Sequence, residues 1–231
     1  MPRTQASADP LIDAVAFARD EFESHGQRQR WKILDHAVDV ASVEGLEGIT
    51  IGRLATDLEL SKSGLYGLFG SKEELQLAVV QRAGARFVDA VVRPVLDRPR
   101  GLIRLRAMIE SWFVYAASGI FPGGCFFVSA AHEMDGRPGP VRDRVAKSLR
   151  WWIRGLEADA GSAVAQGELA GDPKQIAFCL QAYAQEANLG NQLYGEKQWL
   201  KRAREAALDL LKDKPVVSSA VRRGRALSRN A

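Results

Sequence analysis

The sequence predicts an all-α protein in two parts: a three-helix N-terminal unit built around a helix-turn-helix, and a larger C-terminal bundle of helices. Three observations predict it. Residues 50–72 hold two short amphipathic segments, each opened by a hydroxyl residue and separated only by the Glu59-Leu60 link. Elsewhere apolar positions recur at helical spacing, with no alternating run that would make a convincing strand. At 231 residues with 46% apolar content, the chain can bury a sizeable core.

The elements follow in order. Pro10 after Asp9 suits the first position of a capped helix, and Leu11, Val15, Ala18 and Phe22 give it one apolar stripe. Residues 1–25 thus read as an extension carrying a helix, which either packs on a neighbour or frays. The next helix runs from about Gln27 to Glu44, with Trp31, Leu34, Val38 and Ala41 inward, and Gly45 and Gly48 end it. A helix over 51–58 follows, with Ile51, Leu54, Ala55 and Leu58 on one face and Thr50 as its N-cap. Ser61 repeats the cap for a helix whose inward side is Leu65, Leu68 and Phe69. So short a link forces the two to cross steeply, the geometry in which a second helix can enter a DNA major groove.

The polar residues of this unit fit that use. Lys62, Ser63 and Tyr66 lie near the start of the second helix, away from its apolar side, where a recognition helix reaches base edges. Arg53 and Lys72 are placed to neutralise phosphates, and Ser71 caps a third helix whose first amides can also face a phosphate. The candidate DNA-contacting set is Thr50, Arg53, Ser61, Lys62, Ser63, Gly64, Tyr66 and Lys72. Charge adds little: from Gly26 to Lys72 six basic residues balance six acidic ones, so the argument rests on placement rather than on a basic patch.

From about Arg30 to Leu77 the chain resembles the tetracycline-repressor (TetR) family of bacterial transcription regulators. The resemblance is carried by Ile33-Leu34-Asp35 with Ala37 and Gly45, by Thr50-Ile51-Gly52-Arg53-Leu54-Ala55, by Ser61-Lys62-Ser63-Gly64-Leu65-Tyr66 and by Phe69-Gly70-Ser71-Lys72-Glu73-Glu74-Leu75. Ala41 departs from the family pattern, standing where a large aromatic residue is common. Gly64 and Gly67 stand where side chains often face the groove; either the backbone approaches DNA closely there or base contacts are absent, which leaves Lys62, Ser63 and Tyr66 to read sequence.

The third helix should run from Lys72 to about Val92, with Leu75, Val79, Ala83, Phe87 and Val91 inward, and so link the two parts as a lever. Pro94 and Pro99 bracket the boundary. Further helices are predicted near 99–118, 122–134, 138–167, 173–193 and 196–212. The domain reading is an extension at 1–25, a DNA-binding domain at 26–75, a ligand-binding and dimerisation domain at 76–212 and a basic, disordered tail at 213–231. From Lys212 to Ala231 the net charge is +5, which leaves −1 on the rest of a chain of net charge +4.

The resemblance implies a ligand pocket in the larger domain, and aromatic residues cluster there beyond the needs of a compact bundle. The expected lining is Trp112, Phe126, Trp152 and Met134, with Cys125 and Tyr183 as soft or polar contacts. No basic cluster marks that set, so the expected effector is a small hydrophobic molecule with few charges. Two stripes of small and apolar residues suggest a twofold four-helix interface: Ile176, Leu180, Ala184, Ala187 and Asn191 on one helix, and Trp199, Ala203, Ala206 and Leu210 on the next. The same stripes would also serve packing inside a monomer.

Enzyme chemistry is not indicated. His132-Glu133-Met134-Asp135 lacks a second histidine at ligand spacing, and no nucleophile elbow, phosphate loop or dinucleotide fingerprint occurs. Catalytic residues, metal ligands and cofactors are therefore all expected to be none. Residues 1–10 lack an apolar signal core, no run approaches a membrane span, and Cys125 and Cys179 are far apart. The expected compartment is the cytoplasm. The resulting expectation is a homodimeric, ligand-responsive repressor that binds double-stranded DNA at a palindromic operator. The alternatives are an activator of the same fold and an accessory helical protein without specific DNA binding.

Overall fold

The computed structural model describes residues 9–12 and 25–212. Among the described residues there are nine α-helices and no strand. Helix α1 (His25–Glu44) turns Trp31, Leu34, Ala37, Val38 and Ala41 inward. Ala41 is fully packed although no aromatic ring stands there. Gly45, at φ 84, ends the helix in a left-handed conformation that a side chain would disfavour.

Helices α2 (Ile51–Asp57) and α3 (Lys62–Phe69) are capped as their sequences predict. Thr50 Oγ1 accepts from the Arg53 amide at 3.0 Å and Ser61 Oγ from the Gly64 amide at 3.1 Å. The turn between them closes through the Leu60 amide, which donates to the Ala55 carbonyl at 2.9 Å, with Glu59 in the left-handed region at φ 53. Leu65 and Phe69 are buried, but Leu68, expected inward, is exposed. The seam of this two-turn helix against its neighbours is too narrow to reach it.

Helix α4 (Lys72–Phe87), capped by Ser71, continues into a π-helical turn at Val88–Val92 and a 3-10 turn at Arg93–Val95. Pro94 has no amide to give the Ala90 carbonyl, and Ser111 Oγ donates to that oxygen instead at 3.2 Å. The expected boundary at 75/76 falls inside one continuous helix, which packs both on α1, through Arg82 and Arg86, and on the larger bundle.

The bundle comprises α5 (Leu102–Ser118), α6 (Phe126–Met134), α7 (Pro140–Ala165), α8 (Pro173–Leu193) and α9 (Gln198–Leu210). Pro opens α7 and α8 after Gly139 and Asp172. Helix α8 lies between α7 and α9, and Gly190 lets the Trp199 ring sit directly on its backbone.

Of the extension, Asp9–Ile12 is described, and it docks on the bundle rather than on the helix-turn-helix. Leu11 is fully buried over Gly155, where an added Cβ would come within 2.7 Å of it. Asp9 accepts from the Leu11 amide at 3.0 Å and from Arg104 at 2.7 Å, and Arg104 also holds the buried Asp159 through two bonds of 2.8 Å. The rest of the expected stripe (Val15, Ala18 and Phe22) and the basic tail lie outside the described residues.

Candidate functional site

Two regions carry candidate chemistry: the outer face of α3 and a cavity in the bundle. On α3, Lys62, Ser63, Gly64 and Tyr66 are all exposed while Leu65 and Phe69 anchor the helix beneath them. An added Cβ at Gly67 would meet nothing within 4 Å, whereas at Gly64 it would crowd the capping Ser61 hydroxyl. Gly64 thus protects the cap, and Gly67 leaves the surface flat beside Tyr66.

The two expected phosphate contacts are engaged within the chain. Arg53 Nε binds Asp57 at 2.8 Å and its other nitrogens bind Glu44 at 3.1 Å. A hydrogen bond from His36 and the pairing with Arg53 together hold the Asp57 carboxyl below its ordinary value. Lys72 Nζ donates to the Glu47 carbonyl at 3.0 Å and to its carboxylate at 2.9 Å. The Lys72 bond, followed by one from Gln76, holds the Glu47 carboxyl below its ordinary value. Arg53, Lys72 and the carboxylates of Glu44, Glu47 and Asp57 are solvent-exposed, so DNA phosphates can compete for both cations.

Behind this unit the loop after α1 is tied to the bundle. The Glu133 carboxylate, at the end of α6, accepts from the Leu46 amide at 2.7 Å and from the Glu47 amide at 2.8 Å. The buried Gln76 of α4 donates to the Leu46 carbonyl at 2.8 Å. The Gly123 amide donates to Ser42 Oγ at 3.0 Å, and Arg86 joins Asp39 at 2.8 Å to the Ile120 carbonyl while lying 4.7 Å over the Phe121 ring. Glu133 belongs to the His132–Asp135 cluster weighed above for metal or acid–base chemistry; here it caps backbone. No three His, Cys, Asp or Glu side chains gather as a metal site among the described residues.

The cavity is about 280 Å³, just below the roughly 300–1,000 Å³ usual for small-molecule sites. Of the expected lining, Trp112, Cys125 and Trp152 are in its wall. Phe126, Met134 and Tyr183 are not: Phe126 and Met134 turn into the packed core, and Tyr183 is half-buried elsewhere on α8. Sequence reasoning missed Phe87 and Val88 on α4, Phe127 and Val128 on α6, and Arg144, Lys147, Ser148 and Trp151 on α7. One signal could have found the α7 group, because positions 144, 148 and 151 share a helical face leading up to Trp152. Arg144 and Lys147 add two basic residues to a wall whose expected residues carried no basic cluster.

Burial pushes the Cys125 thiol up, against hydrogen bonds from the Val128 amide and from Tyr115. It therefore carries little of the reactive thiolate. Its amide donates to Asn188 Oδ1 on α8 at 2.7 Å. Trp152 Nε1 donates to Gln181 Oε1 at 3.1 Å, and Phe87 stands edge-on to Trp152, Tyr115 and Phe127 at 5.3–5.9 Å.

The expected interface residues Ile176, Leu180, Ala184 and Ala187 are buried within the protomer, and Ala184 also lines the cavity. That stripe is the inward face of α8, and its outward face carries Phe178, Leu189 and Leu193, all exposed. Phe178 is 66% exposed. On α9, Trp199, Ala203, Ala206 and Leu210 are half-buried, partly taken up by packing inside the chain. Asn191 is half-buried as well.

Residues 33–79 match the family model described as bacterial regulatory proteins, tetR family, and residues 101–207 match the tetracyclin repressor-like C-terminal domain. No curated protein matches the chain. Among solved structures, it is similar to a TetR transcriptional regulator from Chloroflexus aurantiacus J-10-FL, with a TM-score of 0.73 and 22% identity over 80% of this chain and 94% of that one. A TetR-family transcriptional regulator from Cytophaga hutchinsonii gives a TM-score of 0.72 and 21% identity over 83% and 96%. AibR, in complex with isovaleryl coenzyme A and operator DNA, gives a TM-score of 0.66 and 22% identity over 80% and 100%.

Proposed function

Because the chain belongs to the TetR family of bacterial regulatory proteins, whose members are non-enzymatic DNA-binding transcription factors, we propose that it is a repressor that binds a palindromic operator as a homodimer and is released by a small molecule. The observation that carries this reading is the face of α3: a capped, anchored helix that offers Lys62, Ser63 and Tyr66 to a major groove. Arg53 and Lys72 supply phosphate contacts once DNA competes with their carboxylates. AibR, a relative in fold, is known bound to both a small molecule and operator DNA, which supports a dual role here.

Twofold symmetry follows from a palindromic operator, and the outward face of α8 is the surface offered for it. Phe178, Leu189 and Leu193 sit at helical spacing on one side and would pair with themselves across the axis. This face replaces the buried stripe read from the sequence.

Two elements join the cavity to the DNA-binding unit. Helix α4 contributes Phe87 and Val88 to the wall and begins beside α3. Helix α6 contributes Phe127 and Val128 at one end and holds Leu46 and Glu47 through Glu133 at the other. A ligand that favours one setting of these helices over another shifts the spacing of the two α3 helices by its differential affinity. The π-helical turn that begins at Val88 places an adaptable segment of α4 in the cavity wall.

Footprinting on the DNA flanking the gene tests the reading. The expected result is one protected inverted repeat at low protein concentration. Uniform, salt-sensitive coating without a protected repeat would leave the accessory-protein alternative, and a protected repeat that raises transcription would identify an activator.

A further inference from the structure

Two places around the largely apolar cavity hold hydrogen-bond donors that the chain leaves without a strong acceptor. The first is Gln181 of α8, half-buried in a wall that also holds Val80, Phe87, Val88 and Phe127. Trp152 Nε1 donates to Gln181 Oε1 at 3.1 Å. An indole N–H can only donate, so this bond fixes which end of the amide is oxygen. Gln181 Nε2 is the other end, with two hydrogens, and among the described residues no group accepts from it. Trp152 is itself buried and stands edge-on to Phe87 at 5.3 Å, so the amide is bonded to a fixed partner.

The buried end shows the same bias independently. Tyr115 is buried beside Cys125, and no nitrogen or oxygen accepts from its hydroxyl. Its hydroxyl and the Trp112 indole both turn to the Cys125 sulfur, a weak acceptor. A ligand N–H or O–H placed there would lose its water without a good replacement. Charge is no better served. Arg144 and Lys147, the cations in the wall, already engage partners within the chain, so an ionic group would be desolvated without an uncompensated partner.

We infer that the effector is an uncharged carbonyl compound with an apolar body, its carbonyl oxygen accepting from Gln181 Nε2. This rests on the reading of the cavity as the effector site and names the ligand class it takes. A dry cavity of about 150 Å³ holds one benzene-sized molecule, so one of about 280 Å³ has room for two fused rings. Such a body covers Gln181 from water. A carbonyl oxygen then satisfies Nε2, whereas a hydrocarbon of the same shape would bury it unpaired.

The full-length protein is titrated with 1-tetralone, 1-tetralol and tetralin, one fused-ring body carrying a ketone, a hydroxyl and neither. Affinities come from calorimetry and thermal shift. The unaltered protein should bind 1-tetralone tighter than 1-tetralol. Gln181→Glu is nearly isosteric: it keeps an oxygen for the Trp152 indole and turns the donor end into an acceptor. It should weaken 1-tetralone about five- to tenfold and change tetralin by less than about twofold. The order of ketone and alcohol should reverse, because the alcohol can donate to the new carboxylate. Circular dichroism checks that the variant folds. A second reading needs no variant: the infrared carbonyl stretch of isotope-labelled 1-tetralone bound to the unaltered protein should lie below its value in cyclohexane, as a hydrogen-bonded carbonyl does. Unchanged 1-tetralone affinity in Gln181→Glu, or a carbonyl stretch at the cyclohexane value, would overturn the Gln181 assignment while leaving the cavity as a ligand site. Failure of all three probes to bind would overturn the cavity reading and this inference with it.

Discussion

At Gly123 a side chain would fall inside the Ser42 carbonyl, so the loop before α6 lies directly on the end of α1. Gly123→Ala should therefore push the two parts of the molecule apart, with a loss of about 1–3 kcal/mol measurable by urea unfolding. Leu11 also packs closely, over Gly155 of α7. It is fully buried, so Leu11→Ala should cost ~2–5 kcal/mol in the same assay. Its neighbour Asp9 gives a pH test. Burial raises the Asp9 carboxyl, but hydrogen bonds from Arg104 and the Leu11 amide outweigh it and hold the group below its ordinary value. A carboxyl depressed on folding stabilises fully above its unfolded pKa of about 3.9, and that contribution disappears as pH falls through the lower folded value. The stability gap between wild type and Asp9→Asn should be constant from neutral pH to about pH 5 and close below about pH 4. At this scale the sequence was informative where chemistry is local. Thr50, Ser61 and Ser71 cap their helices because a hydroxyl one residue before an apolar stripe has few other uses. It was uninformative where a residue acts at long range: nothing near Glu133 in the chain says that it satisfies amides at Leu46 and Glu47.

Among the elements, α6 has the most specific role. Nine residues long, it has Phe127 and Val128 in the cavity wall and Glu133 on the DNA-binding unit. Glu133→Gln keeps the shape but replaces one of two carboxylate acceptors with a donor, so one loop amide loses its partner. A loss of about 1–3 kcal/mol at that joint should appear as faster hydrogen exchange at Leu46 or Glu47. Unchanged protection at both amides would remove α6 from the coupling route. Helix α8 shows why part of the expected interface stripe is buried inside the protomer. Its small-residue stripe was legible, but small residues suit close packing within a chain as well as between chains, and α7 and α9 take up that face. The exposed Phe178, Leu189 and Leu193 were equally present in the sequence. Only the placement of α7 and α9 decides which side of α8 is outward. The pocket was legible in the same partial way: Trp112 and Trp152 were expected in its wall, while Trp151 was not and its α4 residues looked like ordinary core.

For the whole molecule, the fold was readable because it depends on helix periodicity and caps, which are local and repeated. Assembly is the larger-scale claim. Leu189→Arg places a charge on the proposed twofold face and, since the position is exposed, should leave the protomer folded. Light scattering should report a monomer, with operator binding weakened because two half-sites are no longer bound together. A dimer of wild-type stability would move the interface elsewhere. If paired α3 helices read DNA sequence, anisotropy titration of the footprinted operator against a scrambled duplex will separate the two. The wild-type protein should prefer the operator by about 10³-fold or more at physiological salt. Tyr66→Ala or Lys62→Ala, each altered twice in a dimer, should remove about 1–3 kcal/mol of that preference per half-site, while the scrambled duplex is bound nearly as before. Equal wild-type affinity for both duplexes, or an undiminished preference in both variants, would contradict it.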